Sequence, residues 1–341
     1  MMNDVDVDVV IVGGGPVGLY LGCLLAVRGR SFVVLEKRTE PIDHSRSIGI
    51  HPPLLESMQR ISLAERLIDE GVRIQRGRGY WNSRAIGTMD FARLPGPYRF
   101  VLSLPQTRTE SHVRTRLEEL APGSRLSGVA VESLEQEGGR VHVRAVSGLG
   151  TWTARMVVGC DGKRGVVRTE GGFDFPGGPY PDRYLMGDFA ESTGLGSDAA
   201  LCLGRSGLVE SFPLPSGERR WVVRLAGSDA ESAPESASEM AHSIAGIVRR
   251  RTPFRVDPET ASMTSAFGVE RFEAVPMAKD RIFLAGDAAH VISPIGGQGM
   301  NLGWFDANAV AECAAAAVDG VNGSGTRLPA AAARYAAKRS R

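Results

Sequence analysis

The sequence predicts an α/β protein in which a parallel, nucleotide-binding layer is split along the chain and an antiparallel sheet is inserted between its pieces. Three observations carry this. A β-branched run at residues 7–12 ends at Gly13-Gly14-Gly15 and gives way to an apolar helical stretch from Pro16 to Arg28. After Gly29 a second apolar run, 32–35, stops at Glu36, which completes a strand, helix, strand unit of the size of a parallel crossover. Far downstream, beyond a series of short alternating segments, residues 281–284 resume the buried-strand pattern and enter Ala285-Gly286-Asp287.

The remaining elements follow in order. Residues 52–70 read as one helix after Pro52-Pro53, and 109–120 as another, with Glu110 and Arg114 spaced to pair along one face. Residues 141–146 and 151–158 alternate around the turn 147–150, an antiparallel hairpin leading into Cys160-Asp161-Gly162. Gly171-Gly172 and Gly177-Gly178 flank Phe-Asp-Phe-Pro as a loop. Strands at 184–189, 200–203, 208–212 and 220–225 form the antiparallel layer, followed by a helix at 235–251 and a strand at 263–270. The Ala- and Arg-rich tail, 322–341, reads as a final helix with a frayed end.

Composition bounds the function classes. Basic and acidic residues nearly cancel, 40 against 39, so no global field draws the chain onto nucleic acid or an anionic membrane. Cys23, Cys160, Cys202 and Cys313 are scattered, with no disulfide framework and no metal-ligand spacing, which fits a reducing compartment. The acidic N-terminus, with Asp4, Asp6 and Asp8, lacks the pattern of a secretory signal, and no apolar run approaches the roughly 20 residues that span a bilayer. A cytoplasmic protein without stable membrane insertion is expected, as monomer or homodimer.

Gly13-Gly14-Gly15-Pro16-Val17-Gly18 fits GxGxxG directly after a strand and at a helix start, and Glu36 follows eighteen residues past Gly18. Gly13 permits the tight turn, Gly15 lets backbone approach a pyrophosphate, and Gly18 lets helix and strand pack closely, while the helix N-terminus attracts phosphate charge. Glu36 then binds a ribose diol. An acidic group there repels a 2′-phosphate, so the dinucleotide is FAD or NAD and not NADP. The motif alone does not separate these two.

Two further segments do so by resemblance. Asp161-Gly162, within Val158-Gly-Cys-Asp-Gly-Lys-Arg-Gly-Val-Val-Arg168, resembles the DG motif of group A FAD-dependent monooxygenases of the para-hydroxybenzoate hydroxylase type. Arg281-Ile-Phe-Leu-Ala-Gly-Asp-Ala-Ala-His290 resembles their GD motif. The resemblance implies a Rossmann-like, GR2-type FAD-binding layer with an inserted antiparallel β-sheet substrate layer. Its boundaries are 1–75, 101–180 and 271–320 for the discontinuous FAD-binding domain, 76–100 and 181–270 for the substrate domain, and 321–341 for the tail. It implies FAD as cofactor, NADH or NADPH as transient reductant and O2 as co-substrate, with a small aromatic or polyene substrate hydroxylated or epoxidised through a flavin C4a-hydroperoxide.

It also assigns residues. Asp287, after Gly286, bonds the ribityl chain, and Pro294, Gly297, Gly299, Met300 and Asn301 carry the flavin-contacting loop at a helix start. Arg46 reaches the pyrophosphate, Gln106 contacts the flavin side, Asp161 serves FAD and NAD(P)H binding, and Lys37 follows the ribose carboxylate. One departure is Gly165, where many relatives carry Ser; it puts detailed NAD(P)H recognition in doubt. His290 and Cys160 read as packed residues rather than a base and a nucleophile. No catalytic residue is assigned. Tyr80, Trp81, Arg205, Phe212, Pro213, Trp221 and Arg224 fall in the substrate layer, with Phe212, Pro213 and Arg224 as pocket candidates. Alternatives are a reductase or halogenase of the same fold, the halogenase disfavoured by the missing WxWxIP sequence, and a non-catalytic FAD-binding protein.

Overall fold

Val5–Val12 is the centre of the first sheet, and its last four residues are all buried, as expected for a strand covered on both faces. The computed structural model describes residues 5–41, 47–226, 234, 236–294, 297–319 and 327–339. Phe32–Glu36 and Thr151–Gly159 flank the central strand in parallel, Arg125–Ser127 and Ile282–Leu284 continue the parallel sheet outward, and Ala278–Lys279 closes one edge antiparallel. The predicted hairpin is present as Arg140–Ala145 against Thr151–Gly159, extended by Val131–Glu137.

The register decides where a ligand can sit. Val12 lies opposite both Leu35 and Gly159, and Gly159 lies opposite Leu284. All four strands point the same way, so Glu36, Gly13, Cys160 and Ala285 stand level at one edge, across three strand spacings or about 14 Å. Such an edge, at the carboxyl ends of parallel strands, is where open α/β sheets bind ligands.

A second sheet, mostly antiparallel, runs in the order His290–Val291, Met263–Glu273, Gly177–Ala190, Glu218–Arg224, Gly207–Pro213, Ala199–Gly204, Arg76–Trp81, Arg84–Asp90. Ala237–Arg251 covers one of its faces, burying Ile244, Ile247 and Val248 against Leu185, Phe189, Trp221 and Val223. Ser236 and Glu239 form a capping box at its start, the reciprocal arrangement that satisfies two otherwise unpaired N–H groups. A small third sheet, Gly49–Ile50, Val101–Ser103 and Val72–Ile74, supports both layers.

Several boundaries differ from expectation. Residues 52–70 form two helices, Pro52–Gln59 and Ala64–Glu70, because the chain reverses at Ser62 (φ 54°) to bury both Ile61 and Leu63. Residues 177–178 open the long strand Gly177–Ala190 instead of a loop. The hairpin Arg76–Trp81/Arg84–Asp90 carries no clear alternation. It turns at Asn82 and Ser83, both at positive φ, the pair a two-residue hairpin demands. The tail contains the helix Arg327–Arg339, and Glu235 lies outside the described residues. Among the described residues no helix is long and apolar enough to cross a membrane.

Candidate functional site

The glycine turn is built by contact as much as by conformation. Gly13 sits at φ 109°, and a Cβ there would fall 2.3 Å from the Cys160 carbonyl oxygen. A Cβ at Gly18 would fall 2.0 Å from the Gly13 carbonyl oxygen, so the helix Pro16–Ala26 approaches its own entry turn more closely than any side chain allows. Gly15 is different: among the described residues nothing stands within 4 Å of its open side. It precedes Pro16 at the first helical position, and among the described residues no side chain caps the helix, so its first N–H groups have no side-chain acceptor there.

Glu36 is buried at the end of the second strand. It accepts hydrogen bonds from the Gly14 N–H (2.6 Å), the Arg38 N–H (2.9 Å) and Arg38 Nε (3.1 Å). Burial alone pushes its carboxyl up, but these donors outweigh it and hold the group below the usual range. Lys37 points outward and is exposed.

At the DG turn, Asp161 Oδ2 accepts the Val167 N–H (3.0 Å), capping the short helix Val166–Glu170. Its Oδ1 is enclosed with no partner among the described residues, and burial raises the carboxyl above its ordinary value. Gly165 permits this pose: a Cβ there would lie 2.1 Å from Oδ1. The missing serine side chain is therefore replaced by the aspartate carboxylate itself, folded inward.

The GD turn lies beside the first glycine turn, since a Cβ at Gly286 (φ 62°) would come 3.0 Å from Val17. Arg168 ties the two downstream turns together by donating to the carbonyls of Lys163 and, at 3.2 Å, Ala288. Asp287 is exposed to solvent while protein surrounds it on most sides, a concave setting that raises its carboxyl, offset in part by nearby His290. His290 is a packed residue: it pairs with Glu273 in the second sheet, and its Nε2 contacts Asp306 Oδ2 at 2.6 Å. Burial works against its protonated form, but the Asp306 contact outweighs this and raises its pKa.

The loop after the GD turn is stitched to the chain around residue 50. Asn301, buried, donates from Nδ2 to the Gly49 and Gly297 carbonyls (2.9 and 2.7 Å) and accepts the His51 N–H at Oδ1 (2.9 Å). Its amide is thus engaged within the protein. Gly297 adopts φ 64° and donates to the Pro294 carbonyl; Pro294 is exposed, Met300 is half-buried on the main core, and Gly299 stands beside Ile292. Gln106 begins the helix Gln106–Leu120 and donates its N–H to the Ser47 carbonyl, joining the same cluster. Arg46 lies outside the described residues.

The substrate candidates separate. Trp221 and Tyr80 face the helix side of the second sheet, packed with Phe254. Arg205 is exposed at a turn, and Trp81 is exposed at the hairpin tip. Phe212 stands opposite Arg220, which is held by Asp188 in a buried two-pronged pair at 2.7 Å. The Pro213 carbonyl accepts a 2.6 Å hydrogen bond from Ser103, three residues before Gln106. Arg224 lies at the far end of the same strand, about 13 Å from Arg220 at strand rise, paired with Asp182 (2.6 Å) and partly exposed. Phe212 and Pro213 therefore belong to the end nearest Gln106, and Arg224 does not.

The sequence predicts a helix from the glycine run to about Ala317 with its Ala-rich face from Ala307 packed, but not the roles of Trp304, Asp306 and Asn308 on the helix Gln298–Asp319. Trp304 Nε1 donates to the Pro16 carbonyl (3.1 Å), Asn308 bonds Ser57 (2.7 Å) and Tyr20, and Asp306 reaches the GD turn. The signal was present: 301, 304 and 308 place polar groups on one face of an otherwise alanine-rich helix. Among the described residues no group of three or more His, Cys, Asp or Glu is placed to hold a metal ion.

These residues fit a dinucleotide. The open side of Gly15, the uncapped helix start and the anchored Glu36 carboxylate supply a phosphate cradle and a hydroxyl acceptor one strand apart. Comparisons agree. A family model described as an FAD binding domain matches residues 6–340. Rifampicin monooxygenase of Streptomyces venezuelae is 35% identical over 320 residues, covering 92% of this chain and 65% of that protein. Pentachlorophenol 4-monooxygenase of Sphingobium chlorophenolicum is 31% identical over 310 residues, covering 89% and 57%. The chain thus spans less than two thirds of the length of these curated relatives. Among solved structures, an anhydrotetracycline hydroxylase from Streptomyces rimosus superimposes with a TM-score of 0.75 at 29% identity, covering 98% of this chain and 66% of that one. A p-nitrophenol 4-monooxygenase from Pseudomonas putida shares the fold, with a TM-score of 0.83 at 24% identity and coverage of 98% and 86%. A family match over nearly the whole length, supported by relatives of one kind, leads to a single assignment: this chain belongs to the FAD-binding domain family of the group A flavoprotein monooxygenases.

Proposed function

We propose that the chain is an FAD-dependent monooxygenase that uses NADH or NADPH and O2 to hydroxylate or epoxidise a small aromatic or conjugated substrate. The observation that carries this reading is the meeting of three distant turns, at Gly13, Asp161 and Asp287, at one edge of one parallel sheet. The names of the relatives, monooxygenases of rifampicin and pentachlorophenol, support oxygenation and the substrate class. Bound FAD supplies the redox chemistry, taking electrons from NAD(P)H and delivering one oxygen atom of O2 to the substrate while the other leaves as water.

The protein's part is positioning. Gly13, Gly15, Pro16 and Gly18 would form the turn and helix start that receive the pyrophosphate, a role the family resemblance also gives Arg46, and Glu36 would accept from the adenosine ribose beside Lys37. Asp287, next to Gly286, accepts from the ribityl hydroxyls. The segment Pro294, Gly297, Gly299, Met300 and Asn301 directs the start of the long helix at the flavin edge, where its dipole favours negative charge. Gln106 approaches the flavin side and Phe212 and Pro213 face the substrate. Asp161 shapes the DG turn. The FAD-binding domain comprises 1–75, 101–180 and 271–320, and the substrate domain 76–100 and 181–270.

The test is reconstitution. Purified protein loaded with FAD is expected to oxidise NAD(P)H faster when phenols or polyketide-like aromatics are added, and to place ¹⁸O from labelled O2 in the product. Substrate-stimulated turnover that consumes no oxygen on an electrode refutes oxygenation and indicates a reductase.

A further inference from the structure

The GD turn is held by an element at the far end of the chain. Asp306, fully buried on the helix Gln298–Asp319, accepts at Oδ2 from the Gly286 N–H (3.0 Å) and from His290 Nε2 (2.6 Å). Its Oδ1 accepts from Arg339 Nε at 2.5 Å, and Arg339 also donates to the Leu302 carbonyl (3.2 Å). Four residues earlier on the same terminal helix, Arg327–Arg339, Tyr335 donates its hydroxyl to the Leu284 carbonyl (2.7 Å), on the strand that enters the turn. One carboxylate therefore grips the turn at both of its ends, residues 286 and 290, with Asp287 projecting between them.

We propose that Asp306 and Arg339 are positioning residues for flavin binding, and that the helix Arg327–Arg339 is an integral part of the flavin site although it contributes no ligand to it. The argument rests on the assignment of Asp287 to the flavin. Gly286 is in the left-handed region, where a Cβ would come 3.0 Å from Val17, and its N–H is held by Asp306. A buried carboxylate shared by a backbone N–H and a histidine needs a cation on its other oxygen to keep its place. Arg339 is that cation, delivered by two planar N–H groups at once to Asp306 and to the Leu302 carbonyl. Releasing it leaves Asp306 Oδ1 without its cation, and the turn that presents Asp287 is held less firmly.

The experiment compares full-length wild type with Arg339→Gln, Arg339→Lys and Ile247→Val, the last a core substitution under the second sheet chosen to lower stability elsewhere. FAD affinity is read by fluorescence quenching on the apo-protein, and thermal midpoints are recorded in parallel. Arg339→Gln is expected to weaken FAD binding about 10- to 100-fold, the factor that one charge-assisted hydrogen bond shifts an equilibrium. Arg339→Lys recovers most of it, and Ile247→Val leaves affinity unchanged. Equal affinity in wild type and Arg339→Gln overturns the proposal while leaving the functional reading intact, as does a loss in Ile247→Val that matches its fall in midpoint. A wild type that takes up no FAD overturns both.

Discussion

Asp161→Asn is expected to stabilise the apo-protein near neutral pH and to do so much less in acid. The aspartate pose retains one good hydrogen bond, from the Val167 N–H, and an amide oxygen can accept that bond equally well. Its other oxygen is enclosed with no partner among the described residues, so the ionised carboxylate there loses its hydration, a cost of about 1–3 kcal/mol that an uncharged amide largely escapes although its NH2 is left unpaired. Because the folded carboxyl lies above its ordinary value of 3.8, the native state holds this proton longer than the unfolded chain. The cost is thus absent in acid, grows as pH rises from 3.8 to the raised folded value, and is complete above it. At pH 8 the variant gains on the order of 1 kcal/mol or more, or about 2 °C in a chain of this size. Differential scanning fluorimetry of both proteins across pH 4–8 measures it, the difference isolating this group from the other carboxylates. A variant that is less stable than wild type by the same margin at every pH would refute the reasoning, because the enclosed oxygen would then be matched by something the amide cannot replace.

Three further outcomes follow from distances given above. Gly18→Ala puts a methyl group against the Gly13 carbonyl and is expected to abolish FAD uptake, read by the absence of yellow colour after reconstitution. Glu36→Gln is expected to weaken FAD binding about 10-fold or more through loss of charge-assisted contacts; since the wild-type carboxyl is held below its ordinary value, its stabilising contribution is present above pH 4.5 and is lost as pH falls further. Arg220→Met leaves Asp188 buried without its partner and is expected to cost about 3–5 kcal/mol in chemical unfolding, most of it regained in the double variant Asp188→Leu/Arg220→Met.

The first βαβ unit was readable because Gly13 and Gly18 have steric tasks that only glycine performs, and because a buried parallel strand is a continuous apolar run. The antiparallel sheet was readable from alternation. The hairpin at 76–90 was not, since an edge strand exposed along its whole length has no buried face to impose a period. The split of residues 52–70 depends on burying Ile61 and Leu63 together, a tertiary demand no local pattern announces. Gly13, Glu36, Asp161 and Asp287 are named by motif alone, but what holds each of them in place is not legible there. Asp306 meets Gly286 across twenty residues and Arg339 across thirty-three, and neither pair has a local signature. The inward pose of Asp161 depends on the missing side chain at Gly165, a fit across the turn that no local pattern announces.

The chain leaves the first sheet at Leu284 and joins the second at His290, so five residues make the passage and Asp287 is the middle one. With so short a crossing, the place of the Asp287 carboxylate is set jointly by where the two sheets lie, and a shift of one sheet against the other would carry it along.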